Sequence, residues 1–278
     1  MRALPKIWGV LNTTPDSFSD GGRHLDADSA RGRVDELLAE GAEIIDIGGE
    51  STRPPGRSYG AGFEPVAPDV ELARVLPAVE AAAARGAKIS IDTTKLEVAR
   101  GALDRGAEIV NFIGLEPPAP LLELIAAREA ELVLMHNRGR GERIDPALRG
   151  EALLEEVFGG LLRAAERARA AGIQNKIYLD IGVGFAKTSA QSVECLRNLP
   201  ALKRSGYSVY VGASRKSLIA DLEERAGVDR SAPSARLGGS LGVALFAAEM
   251  GADALRVHDV AETRQALLIT RALREGRG

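Results

Sequence analysis

Short apolar runs alternate along the chain with longer segments of helical spacing. The runs lie at 7–11, 43–47, 88–91, 108–112, 131–135, 177–180, 208–211 and 253–257. Each closes on a polar residue, the pattern of a strand buried on both faces. Between them, apolar residues recur three and four positions apart. Ala30, Val34, Leu37 and Leu38 share one face, as do Leu72, Val75, Leu76 and Val79, and later Leu154, Val157, Phe158, Leu161 and Ala165. That spacing predicts amphipathic helices. Glycine recurs where such a helix hands over to a strand, at Gly41, Gly86, Gly106 and Gly251, with a looser copy at Gly172. It suits a helix end because it takes the left-handed conformation without a Cβ clash.

Eight strands separated by helices predict a mostly parallel sheet, open or closed. Eight units in 278 residues match an α/β fold of (β/α)8 TIM-barrel type, one domain spanning 1–278. The alternative is an open doubly wound sheet, which often carries a Gly-rich dinucleotide loop. The nearest approach to one is Gly182-Val183-Gly184-Phe185-Ala186-Lys187-Thr188. It lacks the third Gly of G-x-G-x-x-G, and Ile181 and Ala186 stand where a P-loop needs glycine.

Charge narrows the partners. A formal net charge of −3 gives no broad surface for nucleic acid or anionic membrane. No run approaches the roughly 18 apolar residues of a membrane span. The start of the chain has no apolar core of signal-peptide length. The single cysteine, Cys195, excludes a disulfide within the chain and reads as a small buried hydrophobe. A cytoplasmic protein is the expectation.

The chemistry concentrates at the strand ends. These carry Asn12, Asp46, Asp92, Asn111, His136, Asp180, Lys216 and His258, with Arg256 just inside. In a parallel barrel they converge on one mouth. Any one of them could cap a strand, but three carboxylates together need a cation, a metal or a ligand rich in N–H donors. The three histidines, His24, His136 and His258, are dispersed, without zinc-site spacing. His136 reads equally as a structural residue or a ligand contact. Gly212-Ala213-Ser214-Arg215-Lys216-Ser217 opens a helix, and Arg256-Val257-His258-Asp259 follows the last strand. Each is an anion site or a solvated basic turn. The connections after the first two strands far exceed the usual two to six residues. They read as binding loops or lids, the second alternatively as a disordered insertion.

From Gly9 to Asp259 these segments resemble the dihydropteroate synthases of folate biosynthesis. The likeness rests on Asn12-Thr13-Thr14-Pro15-Asp16-Ser17-Phe18-Ser19-Asp20-Gly21-Gly22, Asp46-Ile47-Gly48-Gly49-Glu50-Ser51-Thr52-Arg53-Pro54, Ser90-Ile91-Asp92-Thr93, Leu134-Met135-His136, Ser214-Arg215-Lys216-Ser217 and Arg256-Val257-His258-Asp259. It implies condensation of (7,8-dihydropterin-6-yl)methyl diphosphate with 4-aminobenzoate, giving dihydropteroate and diphosphate. By resemblance, Asp92, Asn111, Asp180 and Lys216 hold the pterin. Asn12, Arg256 and His258 hold the diphosphate, with Mg2+ bridging Asn12 and phosphate oxygens. Phe18, Thr52, Pro54, Phe185 and Ser217 shape the aminobenzoate site. Asp92, Asp46, Lys216, Arg256 and His258 form the catalytic set. A homodimer is implied as well.

A pterin presents N3–H beside a 2-amino group, and one carboxylate can accept from both; Asp180 is the candidate. Thr13 to Gly22 are expected to move, bringing Phe18 over the aminobenzoate and Asp16 towards the developing cation. The chain departs from the family at Ile181, where Pro is usual, at Ala186, where Gly is usual, at Phe112, where Asp is usual, and at Leu218, where Phe is common. The rival readings are a pterin-dependent methyltransferase of similar fold and a non-catalytic pterin-binding module.

Overall fold

The eight apolar runs pair in sequence order into a closed, all-parallel barrel in the computed structural model, which describes residues 3–13, 27–50, 66–138 and 142–276. The strands are β1 (Lys6–Asn12), β2 (Ile44–Gly48), β3 (Ile89–Asp92), β4 (Ile109–Phe112), β5 (Glu131–Met135), β6 (Ile177–Asp180), β7 (Ser208–Val211) and β8 (Ala254–Val257). β1 closes the ring on β8, with Trp8 beside Arg256. The open doubly wound alternative is therefore excluded. The predicted strands agree with these bounds to within a residue at every end.

The helix ends follow the glycine pattern. Gly41, Gly86, Gly106, Gly172 and Gly251 all have positive φ, from 66° to 102°. Each lets the chain reverse and enter the next strand from the same end of the barrel. The predicted helical faces are also buried: Ala30, Val34 and Leu37 are sealed beneath Ala27–Glu40, and Val75 and Val79 beneath Pro68–Ala83. The stretch from Leu154 to Ala165 is not one plain α-helix. A π-helical turn, Glu155–Gly159, joins Gly150–Leu154 to Gly160–Ala170.

Strand residues alternate between two cores. The outward set, including Leu11, Ile45, Ile91, Leu134, Leu179 and Leu255, packs under the helices. The inward set forms a separate cluster of Trp8, Ile44, Ile109, Val133, Tyr178, Tyr210 and Ala254. Its centre is aromatic. Trp8 meets Tyr178 and Tyr210 edge-on, with ring centroids 5.2 Å and 4.9 Å away. This cluster fills the barrel and makes a floor below the strand ends. Cys195 is fully buried in Ser189–Arg197, as its sequence context predicts.

Candidate active site

Two residues further along, the inward positions of β2, β4, β6 and β8 turn polar, while Val10 on β1 and Met135 on β5 stay apolar. Ile44 is followed by Asp46, Ile109 by Asn111, Tyr178 by Asp180 and Ala254 by Arg256. Their convergence follows from the register, which sets Asp46 beside Ser90 and Asp92 beside Asn111. Asp46, Asp92, Asn111 and Asp180 are all buried.

Arg256 ties this layer together. Its Nε donates to Asp46 Oδ2 at 2.6 Å, and its Nη2 to Asp92 Oδ2 at 2.9 Å. Asn111 Nδ2 lies 3.3 Å from both oxygens of Asp46. Asp46, expected among the catalytic carboxylates, is thus fully enclosed and committed to Asn111 and Arg256. Burial opposes the charge on Arg256, but Asp46 and Asp92 outweigh it and hold the guanidinium firmly protonated. Burial pushes Asp92 up to about 7, against the pull of Arg256 and with a further push from Asp46. Asp92 Oδ1 is buried and has no hydrogen-bond partner, an orphan acceptor that calls for a donor.

Asp180 faces the mouth from β6. Its Oδ1 accepts from the Gly182 N–H at 2.8 Å. Burial raises its pKa, with Lys216 acting against the rise. Lys216 stands opposite and donates from Nζ to the Val183 carbonyl at 2.9 Å. Burial pushes it down to about 8, opposed by Asp180. The same Nζ lies 4.7 Å from the centre of the Phe185 ring, within cation–π range. Glycine occupies the inward position at the ends of β2 and β7, Gly48 and Gly212. A Cβ at Gly212 would sit 3.6 Å from Arg256 Cδ and 3.9 Å from Asp180 Oδ2. Any side chain there would fill the space between those two residues.

The basic turns after β7 and β8 are built, not merely solvated. Arg215, left-handed at φ 59°, forms a two-pronged ion pair with Asp259, its Nε 3.1 Å from Oδ2. The nearly buried Arg236 holds the Arg215 carbonyl at 2.9 Å. Arg215 is therefore a brace, while Lys216 turns into the barrel. Ser214 Oγ lies 3.1 Å from His258 Nδ1 and also receives the His258 N–H. Lys216 begins the helix Ser217–Arg225, and no side chain caps its leading N–H groups.

His136 proves structural. It is fully enclosed, with Nδ1 2.8 Å from Lys187 Nζ. Burial pushes it down to about 3, with Lys187 adding to the fall, so it stays neutral. Ser214 and Lys187 stand in motifs singled out along the sequence, but the sequence assigns neither a role of its own. The only local signal for Lys187 is a lysine set in a Gly-rich apolar turn.

Asn12 ends β1, where its side chain makes no hydrogen bond to another described residue. Thr13, expected at the start of the moving segment, is fully buried, and its N–H and Oγ1 both donate to the Gly48 carbonyl, at 2.8 and 3.1 Å. Phe18, Thr52 and Pro54, with Asp16 and His24, lie outside the described residues, as do the expected loop motions.

A closed parallel barrel with a buried acid–amide–guanidinium layer at its mouth places the chain in a known class, and it belongs to the pterin binding enzymes, whose family profile matches residues 8–258. Its relatives within that class are dihydropteroate synthases. The Mycobacterium leprae enzyme is 41% identical over 273 residues, covering 96% of this chain and 93% of that one. The Escherichia coli enzyme is 38% identical over 270 residues, covering 96% and 91%. Among solved structures, Xanthomonas albilineans dihydropteroate synthase with 4-aminobenzoic acid superposes with a TM-score of 0.86 at 37% identity, covering 98% of this chain and 93% of that one. The same enzyme in complex with 7,8-dihydropteroate gives 0.82 at 36%, covering 98% and 94%.

Proposed function

We propose that this chain is a dihydropteroate synthase that joins (7,8-dihydropterin-6-yl)methyl diphosphate to 4-aminobenzoate, giving 7,8-dihydropteroate and diphosphate. The observation that carries the reading is the unfilled polar demand at the barrel mouth. Asp92 Oδ1 lacks a donor, and Asp180 uses one oxygen on Gly182 and keeps the other towards Gly212. A flat heterocycle with several adjacent N–H groups meets that demand. Asp180 takes N3–H and the 2-amino group together, Asp92 takes a further N–H, and Asn111 and Lys216 bound the ring. Asp46 acts through Asn111 and Arg256, which it holds in place.

The diphosphate lies towards β1 and β8. Arg256 keeps one nitrogen, Nη1, without a hydrogen bond to a described residue, and its side chain is 20% exposed. His258, set by Ser214, and the uncapped N–H groups of Ser217–Arg225 add positive potential. Asn12, whose carboxamide oxygen has no partner among the described residues, would hold Mg2+, a hard cation that takes oxygen ligands. Among the described residues no cluster of three His, Cys, Asp or Glu could hold a metal unaided. Bound there, the ion would supply charge neutralisation to the departing diphosphate.

The methylene C–O bond breaks as charge moves onto the diphosphate, and Arg256 and His258 stabilise that charge. The carboxylate of Asp92 faces the resulting delocalised cation. The neutral arylamine then attacks, so no general base is needed. Phe185 and Ser217 line the aminobenzoate side, the role that the family likeness also gives to Phe18, Thr52 and Pro54. The protein acts in the cytoplasm as a homodimer, supported by Phe246, Ile269 and Leu273 standing exposed on two adjacent helices.

The deciding assay is aminobenzoate-dependent release of diphosphate. Pterin binding without release would favour the binding module, and methyl transfer in its place would favour the methyltransferase. Positional isotope exchange in the diphosphate without aminobenzoate tests the dissociative step, and an absence of scrambling would sink it.

A further inference from the structure

The loop from β6 to Ser189–Arg197 is built around a buried lysine that the mechanism above does not use, its amine pushed down to about 7 by burial. Lys187 is only 6% exposed. Its Nζ lies 2.8 Å from His136 Nδ1 and donates to the Phe185 carbonyl at 3.0 Å and the His136 carbonyl at 3.4 Å. Three acceptors match the three hydrogens of the protonated amine. With Lys187 as donor the neutral His136 accepts at Nδ1, which assigns its proton to Nε2, 3.8 Å from Glu156 Oε1. The acceptors come from two different loops, after β5 and after β6.

The backbone between Phe185 and Lys187 is bent against its preference. Ala186 is left-handed at φ 55°, a conformation unfavourable for any residue with a Cβ. The Ala186 carbonyl accepts from Ile144 at 2.8 Å, and Thr188 then starts the helix with a capping box to Gln191. The Phe185 carbonyl is held from beneath while its ring lies over Lys216, whose Nζ is also bonded to Val183 of the same loop. The buried Lys187 amine thus fixes the backbone that carries a proposed aminobenzoate wall.

We propose that Lys187 is a positioning residue for the second substrate: by gripping the Phe185 and His136 carbonyls it sets the Phe185 ring against Lys216 and so shapes the aminobenzoate side of the site. The proposal rests on the reading of Phe185 given above. The pterin partners Asp92, Asn111 and Asp180 stand on strands, and the loop group that holds Asp180, the Gly182 N–H, comes well before Lys187. Loss of the Lys187 donors therefore falls on aminobenzoate more than on the pterin.

The test is steady-state kinetics of the full chain carrying Lys187→Met, which keeps the stem and removes the donors, with calorimetric titration of the pterin diphosphate. The KM for 4-aminobenzoate is expected to rise about tenfold to a hundredfold, the loss that one or two charge-assisted hydrogen bonds convert to, while pterin affinity stays within about threefold. Lys187→Gln, which keeps two N–H donors, should fall between the two proteins, and it is judged by the same criteria if the Met variant does not fold. An unchanged KM overturns the proposal, as does an equal loss for pterin or a fall in kcat alone. Phe185→Leu separates the two layers of the argument. A normal KM there refutes the aminobenzoate reading of Phe185 and this proposal with it. A raised KM there beside a normal one in Lys187→Met refutes the role of Lys187 alone.

Discussion

The barrel interior holds two layers one strand period apart, and they could hardly differ more. Trp8, Ile44, Ile109, Tyr178, Tyr210 and Ala254 make the lower one, and Asp46, Asn111, Asp180, Gly212 and Arg256 stand two residues further along. The strands and their direction are the same, and the step is roughly 6.6 Å. Below, shape is filled by edge-on aromatic rings. Above, charge is gathered and a gap is left at glycine. A strand of four or five residues can therefore serve both ends, because its inward positions divide the work: the first stabilises the barrel and the next meets the ligand.

That division can be tested by crossing it. Asp180→Ala should lower pterin affinity by about 10²–10⁴, two charged hydrogen bonds' worth, without a fall in the thermal midpoint. Calorimetry and a melt decide, and near-normal affinity would contradict the assignment. Trp8→Ala should do the reverse, lowering unfolding free energy in urea by about 3–5 kcal/mol with pterin affinity kept at saturating stability. If the loss fell instead on affinity, the two layers would not be separable.

The pH dependence sharpens the contrast further. Asp92 is raised to about 7 in the fold, well above the ordinary carboxylate value of about 4. The folded protein then binds the extra proton between those values. The stability this contributes is complete below about pH 4 and is lost as pH rises through about 7. Melts of the ligand-free protein across that window should show a downward slope that Asp92→Asn flattens. An unaltered slope would remove Asp92 from the account. The smallest effect lies outside both layers. Ala186→Gly should relieve the left-handed alanine and raise stability by about 0.5–1 kcal/mol, net of the flexibility it adds to the unfolded chain. Pterin affinity should not move.

Much of this was legible along the chain, and the reason is local. A polar residue ending an apolar run gave Asp46, Asp92, Asn111 and Asp180, and glycine after each helix marked where strands begin. What was not legible depends on residues far apart in sequence. Arg256 reaches Asp46 and Asp92 across 210 and 164 positions, so it could be placed near the mouth but not between two carboxylates. Arg215 reads as a free cation until Asp259, 44 positions on, is brought beside it. His136 could be resolved only by depth: enclosed completely under Lys187, it has no path to a ligand.

The pairing of Asp46 with Arg256 also bears on how the chain is made. β2 leaves the ribosome long before β8. At about 5–20 residues per second, the 210 positions between the partners take roughly 10–40 s to synthesise. Until the end of that interval Asp46, and Asp92 and Asp180 once they are made, lack the guanidinium that neutralises two of them, and a barrel interior holding them uncompensated is unfavourable. The last strand brings that cation and both remaining edges of the ring in one step. Closure of the barrel and neutralisation of its site are therefore a single late event, and a nascent chain stalled before residue 256 would hold its carboxylates in water.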